Sequence, residues 1–461
     1  MRQNRFKSEH ETLKRPGWRD YQARLKRFVL ITTLTKRIIK YSFFLILTLV
    51  GFYLIVGKLG WTAFNYSQKD YSRESKKQVS KKKLIDKNDI QTLLDKRAFV
   101  NLKDKSFDLV VNSQKLRVNT SLDLSLQHYL QKKIDRDTSR YVGIVVMDPS
   151  TGRVLSMVSF DKTDPSNNPC IDNEFPAASI FKIVTAAAAV EKCGFNLSSK
   201  FSYNGRKYTL YKSQLKDKTN KYTNKTTLKD SFAQSVNPVF GKIGANYLGK
   251  SNLEEYALAF GFNRKINFEI PLSPSFISLS DDPYQWAEVA CGFNHETKIS
   301  PVHGAVITSA ILNQGRMIEP TIVDQIIDGA GHTIYRGHIV TMNRAMTSES
   351  SDVVNNLMRA SIRSGTCSKI FRGRGTDHIL SRLNIGGKTG SIDTKKHDGR
   401  YDWFVGFAEE KEGAGKLVIS VIVVHEKYIG TRASQYARMA IKEYFRDYFA
   451  KNKTDLKRAS S

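Results

Sequence analysis

Residues 177–192, AASIFKIVTAAAAVEK, form the stretch from which the fold and the chemistry of this chain are best interpreted. Its alanines predict a helix, and Gly194 is typical of the residue just beyond a helix end. Residues three apart share a helix face, so the amine of Lys182 is expected beside the hydroxyl of Ser179. The pattern Ser-x-x-Lys is weak evidence alone, because residues 80–83 and 213–216 also match it.

The surroundings of Lys182 favour a chemical use of this pair. Its neighbours are apolar, and burial among them would favour the neutral amine, which can accept a proton. The helix N-terminus would favour negative charge on the Ser179 oxygen. A hydroxyl beside a base is the arrangement that serine acyl transfer requires.

A second polar triplet, Ser235-Val236-Asn237, lies between apolar residues. A hydroxyl there can pass a proton to a leaving amine, and an amide can hold a substrate carbonyl. A serine that caps a helix is the ordinary alternative, and residues 166–168 match the same pattern by chance.

The third motif, Lys388-Thr389-Gly390-Ser391, follows two glycines and occurs once. It predicts a strand whose glycines allow another backbone or a ligand to come close. Lys388 and Thr389 suit a carboxylate, and an extended peptide could lie along the strand. An exposed edge strand with a solubilising lysine is the alternative.

The remaining pattern predicts an α/β (α+β) fold. Residues 433–449 have the periodicity of an amphipathic helix, and residues 225–365 read as mostly helical. Strands at both ends with helices between them predict an antiparallel sheet flanked by helices, with an inserted all-helical subdomain. The β-rich runs are residues 142–147, 154–158, 403–408 and 417–424.

The charge of the chain is skewed towards its N-terminus. Residues 1–118 hold 27 Lys/Arg against 10 Asp/Glu, whereas the other 343 residues hold 46 against 34, for a total of +29. The sequence has no zinc-finger spacing, phosphate loop or aromatic–basic pattern of an RNA-binding module, so nucleic acid is not an expected partner.

An uncharged apolar run at residues 41–57 predicts one N-terminal transmembrane helix. The basic residues of 1–40 place that tail in the cytoplasm, so we expect a single-pass protein of the inner (cytoplasmic) membrane, in contact with its lipid, whose catalytic domain is periplasmic or extracellular. A buried helix or a cleaved signal peptide would also account for the run. The expected organisation continues with a juxtamembrane stalk, a globular domain and a polar tail, at residues 58–115, 116–450 and 451–461.

Four cysteines lie in the portion expected to be exported: Cys170, Cys193, Cys291 and Cys367. Their spacing does not match a metal site, and we expect neither a metal nor a cofactor. Disulfide bonds and free thiols are both compatible with the sequence.

The order Ser-x-x-Lys, Ser-x-Asn, Lys-Thr-Gly, with intervals of 56 and 151 residues, resembles that of the penicillin-binding proteins and their β-lactamase relatives. Three further stretches look like their transpeptidase domain, so the resemblance covers residues 116–450: residues 142–158, 291–315 and 402–407. It implies a membrane-anchored, monofunctional penicillin-binding transpeptidase fold.

The resemblance also implies roles for the motif residues. Ser179 would attack a D-Ala-D-Ala stem peptide of peptidoglycan, Lys182 would take its proton, and Ser235 would relay protons. Asn237, Lys388, Thr389, Gly390 and Ser391 would bind the substrate. The backbone N–H groups of Ser179 and Ser391 would form the oxyanion hole, at about 3 kcal/mol per donor. β-Lactams would acylate Ser179, and a separate glycan polymerase is an expected partner.

Other activities share these residues. A D,D-carboxypeptidase differs only in using water as the acceptor. A β-lactamase is disfavoured because the sequence has no Glu-x-x-Leu-Asn segment to direct deacylation. A non-catalytic sensor or scaffold is disfavoured by the intact motifs. Ser391 stands where the family usually has threonine, but it keeps the hydroxyl.

Overall fold

A computed structural model of the protein describes residues 84–94 and 96–459. The predicted cytoplasmic tail, the transmembrane segment at 41–57 and the stalk as far as residue 83 lie outside these residues. Among the described residues, no helix combines the length and the apolar character that crossing a bilayer requires.

The strands form four antiparallel sheets within the described part of the chain. The central sheet has the order β11-β12-β13-β3-β4, and a second sheet has the order β1-β2-β8-β9. The strands are β1 Ser106–Val111, β2 Gln114–Thr120, β3 Ser139–Met147, β4 Val154–Asp161, β5 Lys200–Tyr203, β6 Asn224–Thr227, β7 Arg316–Ile318, β8 Val323–Asp328, β9 Thr333–Arg336, β10 Thr341–Arg344, β11 Leu383–Asp393, β12 Arg400–Glu410 and β13 Lys416–His425.

Helices pack on both faces of the central sheet. A turn of π-helix at Ile243–Leu248 separates two of them, α5 and α6. The helices are α1 Lys87–Leu93, α2 Leu124–Lys133, α3 Lys182–Cys193, α4 Leu228–Ala233, α5 Asn237–Lys242, α6 Gly249–Ala259, α7 Pro283–Cys291, α8 Pro301–Leu312, α9 Ser348–Arg363 and α10 Ala433–Ala459.

The central sheet separates two hydrophobic cores, because successive side chains of a strand point to opposite faces. On β3, Val145 and Met147 pack towards the core that contains α3 and α8. Val142, Ile144 and Val146 pack towards α2 and α10. Truncation of one such side chain to alanine would cost roughly 2–5 kcal/mol. The sheet is therefore a fixed platform for the elements on its α3 face.

Local signals set the helix ends, and the end at Gly194 is the one predicted from the sequence. The side chain of Asp123 accepts a hydrogen bond from Leu126 N and begins α2. Gly194, at φ +65°, ends α3 in the left-handed conformation that glycine adopts at low cost. Ser300 caps α8, and Pro301 follows at its first position. Every residue of α8 is buried, so this helix forms the centre of the core between the sheet and α3.

The described residues before the predicted boundary at residue 116, 84–94 and 96–115, belong to the same compact unit as the rest of the described chain. Strand β1 pairs with β2, which contains Leu116. In α1, Ile90 is fully buried, and Lys87 Nζ lies 3.1 Å from Glu319 Oε2. The many lysines of this segment suggested a solvated stalk, but its few apolar residues are sufficient to anchor it. At the other end, α10 extends to Ala459 through most of the predicted tail.

The mixed fold with antiparallel sheets is confirmed, whereas the inserted region is not all-helical. Residues 228–312 are mainly helical, but residues 316–344 form β7 to β10. These strands are three to six residues long, and β8 crosses over to pair with β2 near the start of the described chain. Such short strands gain their stability from distant partners, which local periodicity does not indicate.

Candidate active site

Ser179 lies in a tight turn that leads into α3. Residues Ala178–Phe181 form a 3₁₀ helix, and Lys182 is the first residue of α3. Ala178 has φ +48°, a left-handed conformation that is strained for a residue with a Cβ. Gly292 approaches this turn so closely that a Cβ added to it would lie 1.9 Å from Ala178 O. The end of α7 therefore presses against the turn and holds Ser179 in place.

The amine of Lys182 is buried in the centre of the site. Its Nζ lies 2.7 Å from Ser179 Oγ and 2.8 Å from Asn237 Oδ1, and it also donates to the backbone oxygen of Cys291. The ring of Phe240 lies 5.7 Å from the amine. Burial lowers the pKa of Lys182 to about 8, and the nearby Cys291 opposes this shift. Loss of hydration is the main cause, because a buried ammonium lacks the water that stabilises its charge.

A second buried lysine joins the other two motifs. Lys388, on β11, is fully buried, and its Nζ lies 2.8 Å from Ser235 Oγ and 2.8 Å from Thr389 O. Burial, with a smaller effect from the charge of Lys182, holds the pKa of Lys388 well below its usual range. Ser235 is in the left-handed region at φ +57°. The structure thus brings together the two lysines and the two serines that the sequence predicts, although Ser235 is bonded to Lys388 rather than directly to Ser179.

Strand β11 passes close to the turn of Ser179. A Cβ on Gly390 would lie 3.1 Å from Ser179 N and 3.2 Å from Ile180 N. Trp403, which pairs with Gly390 on β12, donates from Nε1 to Pro176 O at 2.8 Å and so ties the sheet to the segment before the turn. A side chain at Gly390 would crowd the backbone of the turn, so the glycine favours this close approach, as the sequence suggested.

Asn237 is fixed from two sides at the start of α5. Its Oδ1 accepts from Lys182, and its Nδ2 donates to Tyr208 O at 3.0 Å. Its backbone N donates to Lys207 O at 2.7 Å. The second hydrogen of the Asn237 amide is left for a further acceptor.

The remaining predicted residues line one cleft of about 840 Å³. Thr389 and Ser391 lie on its β11 wall, with Ser179, Ser235 and Asn237. Arg400 Nη2 donates to Ser391 Oγ at 3.2 Å. A volume of this size is enough for a peptide or a small molecule.

Sequence reasoning missed two groups of this site. The Cys291 carbonyl accepts a hydrogen bond from Lys182. The only feature of the sequence that marks this position is Gly292, which ends α7. Thr366 follows α9, and its Oγ1 lies 2.6 Å from Thr389 Oγ1. A serine–glycine pair before Thr366 predicts a turn, but nothing in the sequence places that turn beside β11.

All four cysteines are free thiols in the structure. Burial raises the pKa of Cys170 to about 12 and that of Cys291 to about 11. Within residues 84–94 and 96–459, no group of three or more His, Cys, Asp or Glu side chains could hold a metal ion.

Comparison with known proteins identifies the family. The model of the penicillin binding protein transpeptidase domain matches residues 142–446. This match covers well over half of the chain, which therefore belongs to the family of penicillin-binding protein transpeptidase domains.

Relatives of this family are similar at low identity. Stage V sporulation protein D of Bacillus subtilis (strain 168) is 24% identical over an alignment of 349 residues, and the match covers 70% of this chain and 52% of that protein. The peptidoglycan D,D-transpeptidase FtsI homolog of Mesostigma viride is 24% identical over an alignment of 326 residues, and the match covers 62% of this chain and 52% of that protein. The alignments thus span about half the length of these curated relatives.

Solved structures show the same fold. The D,D-transpeptidase domain of a peptidoglycan glycosyltransferase from Eggerthella lenta has a TM-score of 0.59 and 21% identity, and the match covers 79% of this chain and 91% of that domain. PBPA from Mycobacterium tuberculosis has a TM-score of 0.54 and 19% identity, and the match covers 72% of this chain and 80% of that chain.

Proposed function

We propose that this chain is a peptidoglycan D,D-transpeptidase, which forms an acyl-enzyme on Ser179 from a D-Ala-D-Ala stem peptide and passes the acyl group to an amine of a neighbouring stem. The observation that carries the proposal is the position of the buried Lys182 Nζ, 2.7 Å from Ser179 Oγ. The name of the Mesostigma viride relative, a peptidoglycan D,D-transpeptidase homolog, supports it.

The contacts of Lys182 can accommodate the neutral amine that acylation requires, with the Ser179 hydroxyl as the donor to Nζ in that form. A neutral amine has two hydrogens and one lone pair. Asn237 Oδ1 and Cys291 O can accept the two hydrogens, which directs the lone pair towards the Ser179 hydroxyl. With a pKa of about 8, roughly a tenth of the amine is neutral at pH 7, against roughly 0.03% at the ordinary lysine value. Desolvation thus supplies the general base for acylation.

The reaction follows in two steps. Lys182 takes the Ser179 proton as Oγ bonds to the carbonyl carbon of the penultimate D-Ala. The bond to the terminal D-Ala nitrogen breaks, and a proton passes to that nitrogen through Ser235, which lies beside Lys388. An acceptor amine then attacks the ester, loses a proton to the same lysine–serine network, and releases Ser179 with its hydroxyl restored.

The walls of the cleft would position the substrate. The free amide hydrogen of Asn237 suits a substrate carbonyl, while Thr389 and Lys388 suit the terminal carboxylate. The backbone N–H groups of Ser179 and Ser391 are assigned to the developing oxyanion, because Gly390 brings β11 close to the turn of Ser179. β-Lactams would acylate Ser179 as mimics of the same peptide.

The cellular setting belongs to the same proposal. The apolar run at 41–57 would anchor the chain in the cytoplasmic membrane, with the catalytic domain outside the cytoplasm. A separate enzyme would polymerise the glycan strands that this chain cross-links.

The test is incubation of the purified protein with a D-Ala-D-Ala pentapeptide, with and without an acceptor amine, and mass measurement of the products. We expect a cross-linked product and free D-Ala, and neither product with Ser179→Ala. A hydrolysed tetrapeptide as the main product in the presence of acceptor would instead assign a carboxypeptidase. Activity that survives in Ser179→Ala would refute the nucleophile.

Labelling with fluorescent penicillin separates a transpeptidase from a β-lactamase and from a non-catalytic sensor. We expect a covalent adduct on wild-type protein that persists for minutes and is absent from Ser179→Ala. Rapid turnover of the adduct would indicate a β-lactamase, and an adduct without any reaction of peptides would indicate a sensor.

A further inference from the structure

The loop between β5 and β6, residues 204–223, is strongly basic. It has six Lys/Arg and one Asp. The one acid, Asp217, is paired with Lys242 at 2.7 Å, outside the loop. Among the described residues, no ion pair involves the basic side chains of the loop: Arg206, Lys207, Lys212, Lys216, Lys218 and Lys221.

The loop has a defined conformation despite this charge. Gln214 is buried beneath it, accepts from Tyr211 N at 3.0 Å and donates to Asn204 O at 2.8 Å. Asn204 Nδ2 donates to Lys218 O at 2.7 Å across the loop. Tyr284 OH, from α7, donates to Leu210 O at 2.9 Å. The positive side chains are therefore displayed on an ordered surface rather than on a free linker.

The same loop forms part of the cleft wall. Its carbonyl oxygens at Lys207 and Tyr208 accept the two hydrogen bonds that hold Asn237. Tyr208 also lines the cleft beside Ser235. A molecule on the loop would thus be continuous with a peptide in the cleft.

Exposed tyrosine rings accompany the positive charges. Tyr211 is 60% exposed and Tyr222 is 75% exposed. Lys221 Nζ lies 5.0 Å from the centre of the Tyr222 ring. Flat rings can pack against sugar faces, and ammonium groups pair with carboxylates, so the surface fits a polymer that carries both.

We infer that the loop 204–223 binds the peptidoglycan strand whose stem peptide enters the cleft, through the free carboxylates of the other stem peptides on that strand. This inference rests on the proposed function, because it takes peptidoglycan as the substrate. The loop would hold the polymer near the cleft and would take no part in the reaction at Ser179.

The test is co-sedimentation of the full chain, in detergent, with insoluble peptidoglycan that acid treatment has freed of phosphate polymers. The combined variant Lys216→Gln, Lys218→Gln, Lys221→Gln removes three exposed charges, and we expect roughly five- to tenfold weaker binding, as for several surface charge pairs together. Peptidoglycan whose carboxylates have been converted to amides should bind wild-type protein as weakly as untreated peptidoglycan binds the variant.

A matched control removes three exposed lysines elsewhere: Lys105→Gln, Lys132→Gln and Lys451→Gln. It lowers the net charge equally and should bind like wild type. Equal binding by both triple variants would overturn the inference. A loss confined to vesicles of anionic lipid, with peptidoglycan binding unchanged, would overturn it in favour of a membrane contact.

Penicillin labelling separates this inference from the proposed function. The loop variant should label at the wild-type rate, because a small β-lactam occupies the cleft alone. Absence of labelling in wild-type protein would refute the proposed chemistry, whatever the sedimentation shows. Normal labelling with unchanged sedimentation would refute only the role of the loop.

Discussion

Two sets of lysines in this molecule illustrate opposite uses of one side chain. Lys182 and Lys388 are completely buried, and burial lowers the pKa of each. Lys216, Lys218 and Lys221 are exposed on the loop 204–223, whose Tyr208 lines the cleft. Removal of water makes the first pair suited to accepting protons, while contact with water lets the second set keep its charge and attract anions. Burial, rather than residue type, thus separates the lysines of the proton-transfer network from the lysines of the loop.

The same substitution in both regions should give very different results. We expect Lys182→Gln to slow acylation of Ser179 by penicillin roughly a thousandfold, because loss of a general base costs about 10²–10⁴ in rate. Glutamine keeps a donor for Asn237 and Cys291, which limits the damage to the fold. Lys216→Gln is the control and should acylate at the wild-type rate, as measured with fluorescent penicillin. A similar loss of acylation rate in both variants would show that the buried and the exposed lysine do not differ in function.

The two regions should also differ in their response to pH. Because the neutral form of Lys182 is the base and its pKa is about 8, acylation should rise roughly fiftyfold from pH 6 to pH 8 and then level off. Peptidoglycan binding by the loop should change little over this range. If the acylation rate of Lys182→Gln showed the same dependence on pH as wild type, Lys182 would not be the base.

The unfolded chain binds more protons than the folded one between pH 8 and about 10.5, so Lys182 makes the free energy of unfolding rise with pH in that window.

Salt should affect peptidoglycan binding by the loop much more than acylation of Ser179. Exposed charges are screened, so binding of peptidoglycan should weaken about tenfold between low salt and roughly 0.5 M salt. Lys182 is fully buried and therefore shielded from ions, so the acylation rate should change less than about twofold. Parallel sedimentation and labelling at each salt concentration measure both effects. Salt-independent sedimentation would remove the electrostatic basis of the loop surface.

The smallest effect is expected at Thr366, which bonds to Thr389. Thr366→Val removes one hydrogen bond of about 1 kcal/mol, so kcat/KM for a stem peptide should fall roughly fivefold. Thr366→Ser keeps the hydroxyl and should retain activity. Equal losses in the two variants would indicate a packing role for the residue rather than support of Thr389.

The sequence predicted the chemistry of the site better than the extent of the fold. Ser179 and Lys182 are three residues apart, so helical geometry alone placed them together. The partners of Lys182 at Cys291 and of Thr389 at Thr366 depend on how distant elements pack, which the sequence does not encode locally. For the same reason the pairing of β1, β2 and β8, and hence the start of the folded unit, was not foreseen.

Direct titration of Lys182 tests the central claim, that a desolvated amine next to Ser179 is uncharged in a useful fraction of molecules. The measurement is the chemical shift of isotope-labelled lysine side chains as a function of pH, with Lys182→Gln and Lys388→Gln used for assignment. We expect a signal, absent from Lys182→Gln, that titrates near pH 8. A Lys182 signal that titrates above about pH 10, as for a lysine in water, would contradict it.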